Sequence, residues 1–365
     1  MTEILNTIEW ADPIFPLVPD PKWEAKVKDT LGGVALLYQV VSPNNWLREA
    51  GLVLDAYRPS QISTYFENIL MLVTAQENAC RYCYGAARAQ MKMLGYSESL
   101  INKLERDVQM AELTPKNRDF VQFCRSLARS KPRPKKEDRE SLLAHGFSEL
   151  AVAEIVFLVA SHCFFNRLAT FVACPPEHKA EKFTHGIASY GFRIAGPLLR
   201  SRHANKTRKA AAKAMAENTA LTESAFAPIL NALAPLPAAR IFSDVLDQAM
   251  ASPVLSQRLK KLMIAVIARA LNCDPCQQEM GKQLESTGLT GQQVEQCLTT
   301  LTLPDLEPFE VKILDWTRNT VHFQPGPIQK RTRELTDEIG EEKMLEAIGI
   351  ASLANSLVRT ATLLT

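Results

Sequence analysis

The residues of this chain best suited to chemistry are its eight cysteines, at positions 80, 83, 124, 163, 174, 273, 276 and 297. Four of them form two C-x-x-C pairs, Cys80-Arg81-Tyr82-Cys83 and Cys273-Asp274-Pro275-Cys276. At a helix start, residues i and i+3 share a face with Cβ atoms about 5–6 Å apart, close to disulfide-forming separation. Such a pair can pass between dithiol and disulfide with little backbone movement. A helix N-terminus also stabilises a thiolate, which could attack the O–O bond of a hydroperoxide and become a sulfenic acid. The neighbouring thiol would then condense with it to a disulfide. Pro275 lacks a backbone donor, so the second pair is tolerable only where a helix begins.

Two other readings compete with redox chemistry. The four sulfurs could together form a tetrathiolate zinc site, although the flexible residues that usually flank such ligands are missing. Free cysteines are also often core packing, and that is the first reading for Cys124, Cys163 and Cys297. Cys174, Glu177, His178 and His185 form a looser group with metal-binding residue types, but Pro175-Pro176 and basic surroundings read more readily as a linker. No metal or other cofactor is expected.

The elements that must hold the pairs repeat. The two pairs lie 193 residues apart (Cys80 to Cys273, Cys83 to Cys276), and the same offset lays Gly95-Tyr96-Ser97 over Gly288-Leu289-Thr290 and Leu113-Thr114-Pro115 over Leu306-Glu307-Pro308. Pro132 and Pro134 fall on Pro325 and Pro327, and Leu142 on Leu335; after a slip of one, Glu154 and Arg167 match Glu346 and Arg359. A register held this long indicates two fused copies of one unit, which also places the two pairs in separate units and weakens the zinc reading.

Each unit reads as helical. Ile69–Ala75 and Leu262–Ala268 are nearly all apolar and continue on both sides in helix-compatible residues. Gly95 and Gly288 stand where a left-handed helix end belongs. Ser97 and Thr290 stand at N-cap positions, Thr290 with Gln293 at capping-box spacing. Gly146 and Ser148 repeat this stop and start before an apolar helix around Ala151 to Val172. Alternation of period two with hairpin turns is absent. The expected fold is all-α. Its organisation is an N-terminal extension with the first helices over 1–50, a first repeat over 51–175, a basic linker over 176–223 and a second repeat over 224–365. Arg200 to Lys209 is strongly basic, but without interleaved aromatics it reads as a solvated helix or linker before it reads as a contact for nucleic acid or anionic lipid. Trp10, Trp23 and Trp46 suggest that the extension packs over the first unit.

The 365 residues, with Lys+Arg 42 against Asp+Glu 40 and 46% hydrophobic, have the balance of a globular protein and no overall basic bias toward polyanions. No uninterrupted apolar run reaches the ~18–20 residues of a membrane span, and the N-terminus shows no signal-peptide pattern. The expectation is a cytoplasmic protein without membrane or nucleic-acid partners. Phosphate-loop, dinucleotide, zincin and nucleophile-elbow motifs are absent.

The segment Glu67–Ala87, with its Cys80-Arg81-Tyr82-Cys83 core, resembles the alkylhydroperoxidase AhpD / carboxymuconolactone decarboxylase superfamily, and Leu262–Gly288 resembles it more weakly. Asn166-Arg167-Leu168-Ala169 is similar to the last helix of the family's peroxidase-related branch. The resemblance implies a helical fold, usually oligomeric, here with two copies stacked as an internal pseudo-dimer and possible further homo-oligomers. It implies Cys83 and Cys276 as attacking thiols, Cys80 and Cys273 as resolving thiols, a hydroperoxide or other small-molecule substrate, and an external thiol reductant of lipoyl or thioredoxin-like kind. Family antioxidants carry a Glu twelve residues before the first Cys and a His four after the second. Those positions hold Asn68 and Lys261, and Ala87 and Met280. Glu67, Glu77 and His162 are the available substitutes for the proton relay, with Arg81 and Arg88 as cations that could support a thiolate. A lyase on a cyclic lactone acid and a non-catalytic redox-sensing scaffold are the alternatives.

Overall fold

The computed structural model describes residues 5, 7–106, 112–178, 181, 187–218 and 226–364. Eighteen helices and no strand occur among them. The N-terminal region forms α1 (Pro21–Leu31), α2 (Leu36–Val40) and α3 (Asn45–Asp55), the last running across residue 50. Next come α4 (Thr64–Glu77), α5 (Arg81–Met93), α6 (Glu98–Glu105), α7 (Pro115–Arg129), α8 (Lys136–Ala144) and α9 (Glu149–Phe171). A 30-residue helix, α10 (Ile187–Ala216), follows, then α11 (Ala227–Asn231) and α12 (Pro237–Ala251). The chain closes with α13 (Gln257–Ala270), α14 (Asp274–Glu285), α15 (Gly291–Thr300), α16 (Pro308–Asn319), α17 (Pro325–Ile339) and α18 (Glu341–Thr360).

Local chemistry sets these boundaries where the residue types require them. Ser97 accepts from the Leu100 amide and Thr290 closes a capping box with Gln293. Gly95 and Gly288 take φ of 73° and 94°, values that cost glycine little. Pro275 lies in the first turn of α14 behind the N-cap Cys273, where its missing N–H is no loss.

Helix starts recur along the chain. Thr64 and Gln257, Arg81 and Asp274, Glu98 and Gly291, and Pro115 and Pro308 each stand 193 residues apart, while Glu149 and Glu341 stand 192 apart. The residue before each first cysteine, Ala79 and Asn272, adopts a left-handed φ of 48° and 51°.

The core is built around α9 and α18, which pack on each other; α4 packs on α9, and α13 on α18. By length and composition alone both long helices could cross a membrane, yet 78% and 89% of their most apolar windows are buried inside the fold. Two buried arginines tie the halves together. Arg167 on α9 donates to the carbonyls of Thr320 and Val321 at 3.3 and 3.1 Å, and Arg359 on α18 donates to the Ala128 carbonyl at 3.1 Å. Ala128 and Val321 are themselves 193 residues apart.

The N-terminal region is shared between the halves rather than laid over the first alone. Trp46 donates through Nε1 to Glu346 of α18 at 2.6 Å, and its ring lies against Gly349, where a Cβ would come within 2.8 Å. Trp10 donates to the Cys174 carbonyl, and Trp23 packs with Tyr38 in a small satellite cluster. The basic stretch Arg200–Lys209 lies on α10, which is a packed helix along part of its length. Gly196 meets Gly95 backbone to backbone, and Arg200 stacks over the Tyr96 ring at 4.9 Å.

Candidate functional site

Cys80 is the N-cap of α5, and its sulfur accepts from the Cys83 amide at 3.2 Å. The apolar run of α4 packs against α5 and α9 and so buries the turn between them. Cys80 is fully buried, whereas Cys83 is partly exposed. Of the two residues, Cys83 is the less buried. Its Sγ faces the Phe165 carbonyl at 3.8 Å.

Beneath it runs a buried polar network that the sequence reading did not assign to the site. Asn78 donates to Asn166 Oδ1 at 3.0 Å and to Cys163 Sγ at 3.5 Å, and it accepts from Arg167 at 3.0 Å. The Asn166-Arg167 pair was visible as a motif; Asn78 carried no signal beyond its place two residues before Cys80.

Electrostatically the thiol is not primed. Burial, followed by the hydrogen bond from Cys80, pushes the Cys83 thiol well above its ordinary range, and Asn166 pulls the other way. Desolvation of the charged form is the largest of these effects and works against the expected thiolate. The cations proposed to help are already engaged. Arg81 forms a two-pronged pair with Glu181 at 2.5 and 2.9 Å, and Arg88 pairs with Glu105 and with Glu98.

The substitute relay residues are not assembled around the thiols. Glu77 pairs with Arg125 at 3.4 Å and with Arg129. Glu67 has Arg58, Glu154 and Asp55 as its electrostatic neighbours; burial, then these carboxylates against Arg58, raise its pKa to about 7. Burial lowers the pKa of His162 on α9 to about 4, so it is neutral and a weak base.

Two acids from the region between the halves contact α5: Glu181 pairs with Arg81, and Glu177 bonds to Tyr82. Glu177 accepts from the Tyr82 hydroxyl at 3.0 Å and from the Leu36 amide at 3.2 Å. Glu181 fills the space beside Gly85, where a Cβ would lie 2.0 Å from its carboxylate. Cys174 is buried nearby, its thiol pushed up first by burial and then by Cys80. The loose group of Cys174, Glu177 and His178 thus belongs to this contact region; His185 lies outside the described residues. Among the described residues no three of His, Cys, Asp and Glu stand together as metal ligands would.

The second pair differs. Cys273 and Cys276 are joined as a disulfide with Cα atoms 5.3 Å apart, both buried, and Met280 occupies the next turn as a core residue. Lys261 reaches the Gln283 carbonyl at 3.5 Å.

No family model, curated protein or solved structure matches the chain.

Proposed function

We propose that the chain is a duplicated helical protein of the AhpD type, its halves stacked as an internal pseudo-dimer, that performs thiol–disulfide exchange at Cys80/Cys83. The shared helix starts and the reciprocal arginines, Arg167 to Val321 and Arg359 to Ala128, support the duplication. The observation that carries the activity is the Cys80/Cys83 turn itself: a partly exposed cysteine one helical turn from a buried one, with the amide of the first bonded to the sulfur of the second.

In this reading Cys83, as thiolate, attacks one sulfur of a disulfide R–S–S–R and displaces RS⁻. Cys80 then attacks the Cys83 sulfur of the mixed disulfide, and its proton passes to the departing thiolate, which leaves as RSH. Two electrons pass from the protein to the substrate, and an external thiol of the cytoplasm restores the dithiol. Among the described residues no carboxylate or imidazole bonds to Cys83, so thiolate formation limits attack on disulfides and hydroperoxides alike. The Arg81–Glu181 pair favours slow turnover and keeps redox sensing as the second reading.

The test is alkylation of the reduced full chain across pH, followed by mass spectrometry after incubation with an oxidised dithiol. A Cys80–Cys83 disulfide that forms in wild type, with Cys80→Ser trapped as a mixed disulfide on Cys83, supports exchange. Absence of that disulfide, with Cys83 labelled no faster than Cys124, defeats it.

A further inference from the structure

We propose that the cleft between the α7–α8 loop of the first half and the α13–α14 turn of the second is a binding site for a small phosphate-bearing molecule. The cleft encloses about 600 Å³, within the range of small-molecule sites, and no aspartate or glutamate lines it. Three permanent cations, Lys131, Arg133 and Lys135, do line it, and none of them makes an ion pair with the described residues.

Arg133 is positioned without being neutralised. Its guanidinium donates to the Asn272 carbonyl and to Thr362 Oγ1, each at 3.3 Å. The carboxylate that acts on it is that of Asp274, exposed and beyond ion-pair distance.

A further positive charge lies behind the loop. Arg359 is 1% exposed and spends its donors on neutral oxygens, those of Ala128 and Asn355, while its Nη2 has no hydrogen-bond partner among the described residues. A buried guanidinium with a spare N–H is costly to maintain. The neighbouring cation is Arg167, which also bonds only neutral groups. The field reaches His322 at the cleft edge: its pKa falls to about 4, by desolvation first and then by Arg359, Lys131 and Arg167.

A concave wall with a fork-shaped guanidinium and two mobile ammonium groups matches a tetrahedral oxyanion that carries more than one charge. The site is separate from the Cys80/Cys83 chemistry, since none of the four C-x-x-C sulfurs lines it.

Isothermal titration of the full chain with inorganic pyrophosphate in low-salt buffer tests the assignment, with citrate titrated in parallel. Lys131→Gln and Arg133→Gln should each weaken pyrophosphate binding by about tenfold or more, and Lys206→Gln on α10 should leave it unchanged. Lys131 is exposed, so its variant keeps the fold and serves even where Arg133→Gln perturbs the Thr362 contact. Absence of pyrophosphate binding, equal binding by Lys131→Gln and wild type, or equal weakening by Lys206→Gln would overturn the site. Citrate binding tighter than pyrophosphate, weakened by the same variants, would overturn the phosphate assignment in favour of a polycarboxylate.

Discussion

Glu67→Gln should make the protein more stable at alkaline pH, and the reason lies in how the two halves treat one position. Glu67 and Lys260 stand 193 residues apart, each in the first turn of its helix α4 or α13. In the second half Lys260 lies 3.0 Å from Glu346, both side chains fully buried. In the first half Glu67 instead faces another acid, Glu154, which accepts from Tyr57, Ser60, Gln61 and Ile62. Glu67 Oε2 is buried without a hydrogen-bond partner. Burial and the like charge raise the Glu67 pKa from 4.5 to about 7. A folded-state pKa above the unfolded value means that the folded state holds the proton more firmly. Stability is then greatest below pH ~4.5, falls as pH rises toward ~7, and levels off above that. Each pKa unit corresponds to about 1.4 kcal/mol, so the loss between pH 5 and pH 8 amounts to about 2–3 kcal/mol. Gln carries no charge at any pH and escapes that loss. Urea unfolding of wild type and Glu67→Gln at pH 5 and pH 8 measures it directly, and the gap between them should widen in favour of the variant by that amount. Parallel pH dependences would show Glu67 ionised at no cost in the fold and refute the like-charge reasoning.

Removing the partner in the other half should have the opposite effect. Lys260→Met leaves Glu346 buried with only Asn44 and Trp46 as donors and should cost about 3–5 kcal/mol. Lys260→Met/Glu346→Leu should recover most of that loss in the same denaturation experiment. Gly196→Val would place a Cβ 2.4 Å from Gly95 Cα, so α10 must shift; a loss of about 1–3 kcal/mol is expected, with faster proteolysis within α10. Asn166→Ala removes a hydrogen bond that lowers the Cys83 pKa. Its Cys83 alkylation should therefore be slower than in wild type throughout neutral pH, with the rise displaced to higher pH.

The second C-x-x-C shows how far residue spacing reaches. Pro275 demanded a helix start, and α14 starts there; Gly288 and Thr290 likewise stop one helix and open the next. These are decisions made within a few residues, by a missing N–H, a tolerated positive φ or a side-chain cap. The placing of charges was not legible in this way. Glu67, Glu77, Arg81 and Arg88 all lie close to Cys80 in sequence, yet each is claimed by a partner or neighbour from another element, such as Glu154, Arg125, Glu181 and Glu105.

Taken alone, the sequence determined the helical class and the C-x-x-C turns at helix starts, because periodicity, caps and glycine conformations are local properties. Only the tertiary structure decided that burial pushes the Cys83 thiol upward, that Glu177 and Glu181 contact α5, and that Trp46 belongs as much to the second half as to the first. Those outcomes depend on which distant side chains exclude water and share charge, and burial changes an ionisable group's energy by more than its sequence neighbours can.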